Sequence, residues 1–231
     1  MNPGFLTQLM AARAAKRPVA LITRLSDGAQ ALIGADIRQG DLELSAVLND
    51  ELEKRLANTQ SGALDQAGDI FARIYAPAPR LLIVGAVHIS QALAPMATMA
   101  GYEVTIIDPR SAFASTERFP DVTITNEWPD EAMTRLAPDA QTAVVTLTHD
   151  PKLDDPGLAA ALTSPAFYIG ALGSRRTHEK RITRLNSLGL ESQICRIHAP
   201  IGLDLGGRFP TEIAVSILAQ IIRVRHKGTT L

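Results

Sequence analysis

Two arginines follow a glycine-rich turn in the segment 170–176 of this 231-residue chain. An apolar run precedes the turn and a helical pattern follows it, so the free N–H groups of a helix N-terminus are expected here. The helix dipole disfavours positive side chains in that first turn, and a bound anion would remove the conflict. The segment therefore predicts an anion site, with surface ion pairs to nearby carboxylates such as Glu179 as the alternative. The candidate binding residues are Gly170, Gly173, Ser174, Arg175 and Arg176.

A second polar cluster follows the apolar run that ends at Leu147. The imidazole of His149 can act as an acid, a base or a hydrogen-bond donor near neutral pH. The structural alternative is that Asp150 caps a turn begun by Pro151, while His149 bonds a backbone carbonyl. So much polarity directly after a buried run favours the functional interpretation. In that interpretation Thr148, His149 and Asp150 contact a ligand.

A glycine turn also follows the apolar run 81–84, and a second run, 103–107, stops at an acidic residue. This order is typical of the opening half of a dinucleotide-binding domain. Val87 stands where that pattern requires glycine, and its side chain would obstruct a pyrophosphate, so ordinary NAD(P) binding is disfavoured. Arg110 either binds a phosphate beside Asp108 or is a solvated surface charge. The candidate binding residues are Gly85, His88, Asp108 and Arg110.

The segment 199–212 is a loop rich in glycine and proline that leads into the last helix. Its acidic residues, Asp204 and Glu212, are candidates for ligand contact. Glu212 falls in the first helical turn, where the dipole alone favours it, so structural and functional roles stay open. The scattered histidines give no metal-ligand spacing, and no metal site is expected. Cys195 lies in a strand-like run and is expected to be a small core residue.

The elements that would position these segments alternate regularly. Strand-like runs are separated by helical segments, which are expected to begin at Asp155-Pro156, Ser174 and Pro210. Such alternation predicts an α/β fold with a doubly wound parallel sheet, in which the carboxyl ends of the strands share one edge. The six runs are 81–84, 103–107, 122–125, 142–147, 166–169 and 194–197.

The residues before Pro77 have a different pattern, typical of a small α+β domain. Two prolines within 77–79 break the chain, and we place the boundary between a domain at 1–76 and a domain at 80–231 there. A loop is expected at 58–68. The expected helices are 3–16 and 44–56, and the expected strands are 18–25, 29–33 and 69–75.

Composition narrows the class of protein. Hydrophobic residues make up 46% of the chain and the formal charge is −1, which argues for a folded domain without a nucleic-acid surface. No apolar run approaches the ~20 residues that cross a bilayer, and the N-terminus lacks a secretory pattern. A single cysteine excludes a disulfide framework and fits a reducing compartment. A cytoplasmic location is the simplest expectation.

Together the motifs resemble the XdhC/CoxI family, accessory proteins that mature xanthine dehydrogenase and related molybdenum hydroxylases. The similarity covers about 80–225. The resemblance implies a Rossmann-like domain that binds molybdenum cofactor, a pyranopterin carrying a phosphate, and delivers it to the apo-hydroxylase. It also implies sulfuration of the cofactor with a cysteine desulfurase. The matching segments are 85–93, 104–110, 147–150, 168–176, 200–204 and 210–214.

Two departures from the family are visible. Val87 and Ser90 replace glycine-rich positions, and the N-terminal domain looks truncated, without the cysteine-containing segments of longer members. The sequence leaves two other functions open. A NAD(P)-dependent Rossmann oxidoreductase would require glycine at 87 and a base that rests on His149 alone; a nucleotide-sensing or assembly module would need neither. Apolar helices at both ends are compatible with a homodimer, and packing within the core explains them equally well.

Overall fold

The computed structural model describes residues 3–228. Within it the chain divides into two compact units, one that ends at Pro77 and one that begins at Ala78. None of the helices between Pro3 and Gly228 combines the length and apolar character needed to cross a bilayer.

The first unit is a five-stranded antiparallel sheet with one helix on each face. Alternate residues of its central strand point to opposite faces, since Ala20 and Ile22 pack with Leu52 of one helix while Leu21 packs with Phe5 of the other. The sheet order is β3-β2-β1-β5-β4. The elements are α1 (Pro3–Ala14), β1 (Val19–Arg24), β2 (Gln30–Gly34), β3 (Ile37–Gly40), α2 (Ala46–Asn58), β4 (Gly62–Ala63) and β5 (Ile70–Tyr75).

Two strands of this sheet were not predicted. The edge strand β3 contains one apolar residue, Ile37, so it lacks the alternation that marks a half-buried strand. The other, β4, has two residues and lies inside the segment 58–68, which was expected to be a loop. Both are too short or too polar for periodicity to reveal them.

The second unit is a six-stranded parallel sheet, and the predicted fold class is confirmed. The sheet order is β11-β10-β9-β6-β7-β8. The elements are β6 (Arg80–Val84), α3 (His88–Met99), β7 (Glu103–Ile107), β8 (Thr123–Thr125), α4 (Pro129–Leu136), β9 (Thr142–Thr146), α5 (Pro151–Leu162), β10 (Tyr168–Ala171), α6 (Arg175–Asn186), a 3-10 helix (Glu191–Arg196), β11 (Ile197–His198) and α7 (Pro210–Lys227).

The sheet is covered on both faces, as its continuous apolar strands require. Leu81 and Ile83 of β6 face the layer of α3 and α7, while Leu82 and Val84 face the layer of α4, α5 and α6. The chain adds strands outward from β6 through β8 and then returns to the other side of β6 with β9. The strand order therefore reverses between β6 and β9, where ligands of such sheets usually bind.

Three local predictions need correction. The fifth helix begins at Pro151 with Asp150 as its N-cap, and Pro156 lies inside it, because the earlier Asp-Pro pair already supplies the cap and first-turn proline. The run 194–197 is mostly a 3-10 helix, with strand structure only at Ile197–His198. Cys195 is consequently exposed, so its assignment to the core was wrong. The starts of α6 after Ser174 and of α7 at Pro210 are confirmed.

Candidate anion-binding site at the carboxyl edge of the parallel sheet

The turn after β6 is held closely against the segment that follows β9. Gly85 has a φ of +113°, and a Cβ at this position would lie 2.6 Å from Cγ2 of Thr148. Ser90, which replaces a small residue of the dinucleotide pattern, is buried and donates its hydroxyl to the carbonyl of Gly85. The turn is therefore fixed by close packing and by an internal hydrogen bond at the point where the strand order reverses.

The acidic residue at the end of β7 is occupied by the protein itself. Asp108 is fully buried and accepts hydrogen bonds from the backbone N–H of Ala86 at 2.8 Å and from Nε and Nη2 of Arg110 at 2.9 and 2.7 Å. Burial alone would raise the pKa of Asp108, but the bonds from Arg110 and the backbone lower it below its usual range. The buried Asp108 carboxylate is therefore not available to a ligand in this arrangement, which argues against ribose recognition there, while the Arg110 side chain stays 38% exposed.

A residue outside the predicted set closes this turn further. Nη1 of Arg118 donates to the carbonyl of Ala86 at 3.0 Å, and Nη2 donates to Oε1 of Gln91 at 3.0 Å. The guanidinium also lies 5.9 Å from the ring centroid of Phe113. Arg118 thus ties the first turn of α3 to the segment after β7. An arginine in a loop carries no periodic signal, so sequence patterns could not identify it.

The Asp108 pair gives a prediction with a defined pH dependence. We expect Asp108→Asn to lower the free energy of unfolding by about 2 kcal/mol near pH 7, because charge-assisted bonds to a buried group are lost. Since the folded-state pKa is depressed, this stabilisation is present above the unfolded pKa and is lost as pH falls through the folded pKa. The difference in free energy of unfolding between wild type and variant should be independent of pH above about pH 5 and should decrease below about pH 4.

Urea denaturation at a series of pH values measures this effect. Asp41→Asn removes the same charge from an exposed side chain and is the control. A difference for Asp108→Asn that grows towards low pH would contradict the assigned direction.

The segment after β9 is organised by an aspartate that none of the sequence motifs contains. Asp154 is buried and accepts from Oγ1 of Thr148 at 2.7 Å and from the backbone N–H groups of Thr148 and His149 at 3.2 and 3.1 Å. These bonds hold His149 in a left-handed conformation, with φ +64°, and leave its side chain exposed. Asp150 accepts from the N–H of Lys152 and caps α5, which is the structural role weighed for it.

The glycine turn after β10 leads into α6 as the sequence indicated. Gly173 has a φ of +138°, and Ser174 accepts a hydrogen bond from the N–H of Thr177 at 3.2 Å as the N-cap. Arg175 and Arg176 are exposed. Within residues 3–228 neither arginine forms an ion pair with Glu179 or with another carboxylate, so the surface-pair alternative has no support.

A cavity of about 250 Å³ lies between the N-terminal half of α5 and one side of α6, from Arg176 to Arg184. His149 and Arg176, predicted from separate motifs, both line it. Burial raises the pKa of Asp154, against the hydrogen bonds that it accepts, and burial lowers the pKa of Arg181. Apart from Arg176, the charged residues that line the cavity lie outside the sequence motifs, although the basic residues recur at the spacing of a helix. The charged lining residues are Asp154, Asp155, Arg176, Lys180, Arg181 and Arg184.

Within the cavity the charges are unevenly matched. Arg184 donates to both carboxylate oxygens of Asp155, and Arg181 lies 3.9 Å from Asp154. Arg176 and Lys180 make no ion pair within the described chain and are exposed. Four cations thus face two carboxylates, which gives the cavity an excess of positive charge at neutral pH.

The remaining predicted residues lie outside this cavity. Gly170 belongs to β10, where a Cβ would meet Cδ1 of Ile201 at 2.5 Å, so it is required for packing. Asp204 accepts from the N–H of Gly206, and Oε2 of Glu212 accepts from the N–H groups of Arg208 and Phe209 at the start of α7. His88 is exposed at the start of α3.

No group of three or more His, Cys, Asp or Glu side chains among residues 3–228 is arranged to hold a metal ion. The two carboxylates of the cavity, Asp154 and Asp155, are engaged by neighbouring residues, and its other polar groups are mainly cationic side chains and the Thr177 hydroxyl. Its chemistry is that of an anion receptor.

A family model described as the XdhC Rossmann domain matches residues 81–221. The chain belongs to the XdhC family. The resemblance stated from the motifs is therefore confirmed, and the matched range contains the whole parallel sheet apart from the first residue of β6.

Two of the curated relatives are named for molybdenum cofactor insertion or for xanthine dehydrogenase. The molybdenum cofactor insertion chaperone PaoD of Escherichia coli K12 is 34% identical over 152 residues, which is 65% of this chain and 42% of that protein. A protein of Bacillus subtilis 168 named as a probable xanthine dehydrogenase component is 29% identical over 179 residues, 77% of this chain and 52% of that protein. The chain thus spans about half the length, or less, of these relatives.

A solved structure supports the fold. The crystal structure of a xanthine dehydrogenase from Bacillus halodurans aligns with a TM-score of 0.75 and 23% sequence identity. The alignment covers 96% of this chain and 66% of that one. At this identity the likeness concerns architecture alone.

Proposed function

We propose that this XdhC-family protein binds molybdenum cofactor as a cargo and delivers it to an apo molybdenum hydroxylase such as xanthine dehydrogenase. The name of PaoD, a molybdenum cofactor insertion chaperone, supports the cargo, and the name of the Bacillus subtilis relative supports the client. Further parts of the proposal are sulfuration of the cargo with a cysteine desulfurase, a homodimer and a cytoplasmic location.

The observation that carries the proposal is the positive cavity beside the carboxyl edge of the sheet. Arg176 and Lys180 are exposed there, and Thr177 supplies a hydroxyl. The cargo is a pyranopterin with a phosphate, and guanidinium, ammonium and hydroxyl groups at a helix N-terminus suit that phosphate. His149 adds a polar group at the same wall. A carrier needs tight, reversible binding and does not need a fixed general base. The residues described above fit that requirement.

The competing function, a NAD(P)-dependent oxidoreductase, has less support. Val87 is the N-cap of α3, without a side-chain cap bond, in the turn where a pyrophosphate would lie. Asp108 is engaged by Arg110 and Ala86 and is not free to bind a ribose. Equilibrium binding of the purified full chain to molybdenum cofactor, NAD(H) and NADP(H) separates the two functions. Nicotinamide binding without pterin binding would overturn the proposal.

The arginines at the start of α6 provide a direct test. We expect Arg175→Ala combined with Arg176→Ala to reduce cofactor retention more than tenfold, because two cations near an anion are removed. Both side chains are exposed, so the thermal midpoint should change by only a few degrees. Cofactor content after gel filtration, measured by pterin fluorescence after oxidation, gives the result.

The control for this variant removes two exposed charges elsewhere on the same unit. Glu117→Ala with Lys152→Ala alters side chains that do not line the cavity. If the arginine variant retained as much cofactor as wild type, the assignment of the anion site would be wrong. The cofactor would then have to bind elsewhere on the chain.

A further inference from the structure

Arg181 is a buried guanidinium with unused donors. Its side chain is 2% exposed, and Nη2 donates to the carbonyl of Leu172 at 2.8 Å. Nε and Nη1 are buried and make no hydrogen bond within the described chain. Buried donors without partners are rare in folded proteins because each carries a desolvation penalty. Arg181 also lines the cavity between α5 and α6, so a ligand that enters the cavity is an available source of acceptors.

The neighbouring carboxylate does not supply those acceptors. Oδ2 of Asp154 lies 3.9 Å from Nη2 of Arg181, which is beyond hydrogen-bond distance. Both oxygens of Asp154 already accept from Thr148 and His149. Asp154 therefore balances part of the charge of Arg181 at a distance, while the N–H groups of Nε and Nη1 have no acceptor among the described residues.

The surroundings of Arg181 select an anion of high charge density. Lys180 and Arg176 are exposed at the mouth of the cavity, whereas Arg181 is buried in its wall. Thr177 lies one turn before Arg181 on α6 and contributes a hydroxyl to the lining. The ammonium and guanidinium groups that line this cavity, with the Thr177 hydroxyl beside them, match the several oxygens of a phosphate group.

We propose that the cavity between α5 and α6 is a phosphate-binding site, in which Arg176, Lys180 and Arg181 bind the oxygens of inorganic phosphate or of a phosphate monoester. At about 250 Å³ the cavity is smaller than the pockets that enclose whole drug-sized ligands, so it accommodates the phosphate while the rest of a larger ligand lies outside. Because Nε and Nη1 of Arg181 are buried, binding at these donors requires the long side chains that line the cavity to move. The site is separate from the Gly85 turn, the usual phosphate position of this fold.

Phosphate affinity does not depend on the proposed function; only the identification of the phosphate as part of the cofactor cargo rests on it. Isothermal titration of the full chain with inorganic phosphate, at constant ionic strength maintained with chloride, measures the site directly. We expect saturable binding to wild type. Absence of saturable binding would overturn the site, whatever the protein does with molybdenum cofactor.

Matched substitutions locate the site. Lys180→Gln and Arg176→Gln should each weaken phosphate binding on the order of tenfold, the effect of one charge-assisted contact. Lys152→Gln makes the same change as Lys180→Gln at an exposed position of α5 outside the cavity, and should bind as wild type does. Equal weakening by Lys152→Gln and Lys180→Gln would mean nonspecific attraction and would also overturn the site.

Arg181→Met tests the buried donor itself. Phosphate should raise the melting temperature of wild type, because it binds the folded chain alone, and this shift should vanish in the variant. A full shift in Arg181→Met would contradict direct contact with Arg181. If the variant does not fold, the exposed Lys180 and Arg176 variants still decide whether the cavity binds phosphate.

Competition distinguishes the two sources of phosphate. If the cofactor's own phosphate occupies the cavity, inorganic phosphate should displace the cofactor, and Lys180→Gln should weaken both ligands. If Lys180→Gln weakens phosphate alone, the cavity serves free phosphate or another monoester, and the proposed carrier function then rests on the named relatives without the cavity. Phosphate binding by a chain that binds no cofactor would support the site and reject the carrier function.

Discussion

Replacement of Asp154 by alanine is expected to lower the free energy of unfolding by about 3–5 kcal/mol, the usual penalty when one partner of a buried ion pair is removed. The carboxylate accepts hydrogen bonds from Thr148 and His149 and is the nearest counter-charge of Arg181. Without this carboxylate, two backbone N–H groups and a hydroxyl lose their hydrogen-bond acceptor, and the buried guanidinium loses its counter-charge. Urea denaturation at pH 7 measures the change.

A neighbouring aspartate provides the control. Asp155 pairs with Arg184, whose side chain is 39% exposed, so water can replace the lost partner and Asp155→Ala should cost about 1 kcal/mol or less. Asp154→Asn should fall between the two alanine variants, since the amide oxygen still accepts but the charge is gone. A loss below about 1 kcal/mol for Asp154→Ala would show that Arg181 is compensated by another group.

The architecture of the second unit was predictable because it depends on periodicity. Strands buried on both faces read as continuous apolar runs, and the turns between them contain glycine, proline or a capping residue. Alternation of strands and helices implies a parallel sheet, in which all strands end at the same edge. The sequence is therefore sufficient to place the polar segments after Val84, Thr146 and Ala171 at one edge.

The cavity itself was only half predictable. His149 and Arg176 were identified by their place after strands, but Asp154 and Arg181 lie inside helices and are separated by many residues in the sequence. The residue type of a charged side chain does not show whether that side chain is buried, because burial depends on its neighbours in the folded structure. The misplaced start of α5 also hid Asp154, which was expected to precede a helix that in fact already contains it.

Some predicted residues proved to have local roles for a related reason. Glu212 and Asp150 cap helices, and Asp108 bonds to Arg110 two positions later. Short-range hydrogen bonds of this kind compete with ligand contact for the same residue types, Asp and Glu at helix starts and strand ends. Sequence patterns identify where such residues occur and leave open which partner they take.

Gly85→Ala is expected to lower the free energy of unfolding by about 3 kcal/mol, from backbone strain and a steric clash together. A φ of +113° is unfavourable for any residue with a Cβ, and that Cβ would lie 2.6 Å from Cγ2 of Thr148. The clash falls where the turn after β6 meets the segment after β9, so the variant should also weaken any ligand that depends on His149. Denaturation and phosphate titration of the same variant measure both effects.

Two further variants separate the contributions. Gly101→Ala introduces a Cβ at φ +87° with no heavy atom within 4 Å, so it reports backbone strain alone, about 1 kcal/mol. Thr148→Ser removes Cγ2 but keeps the hydroxyl that donates to Asp154. In the double variant with Gly85→Ala it should recover about 1–2 kcal/mol, the coupling expected for residues in contact. A coupling energy near zero would show that the two segments separate to relieve the clash, and that the edge between β6 and β9 is not rigid.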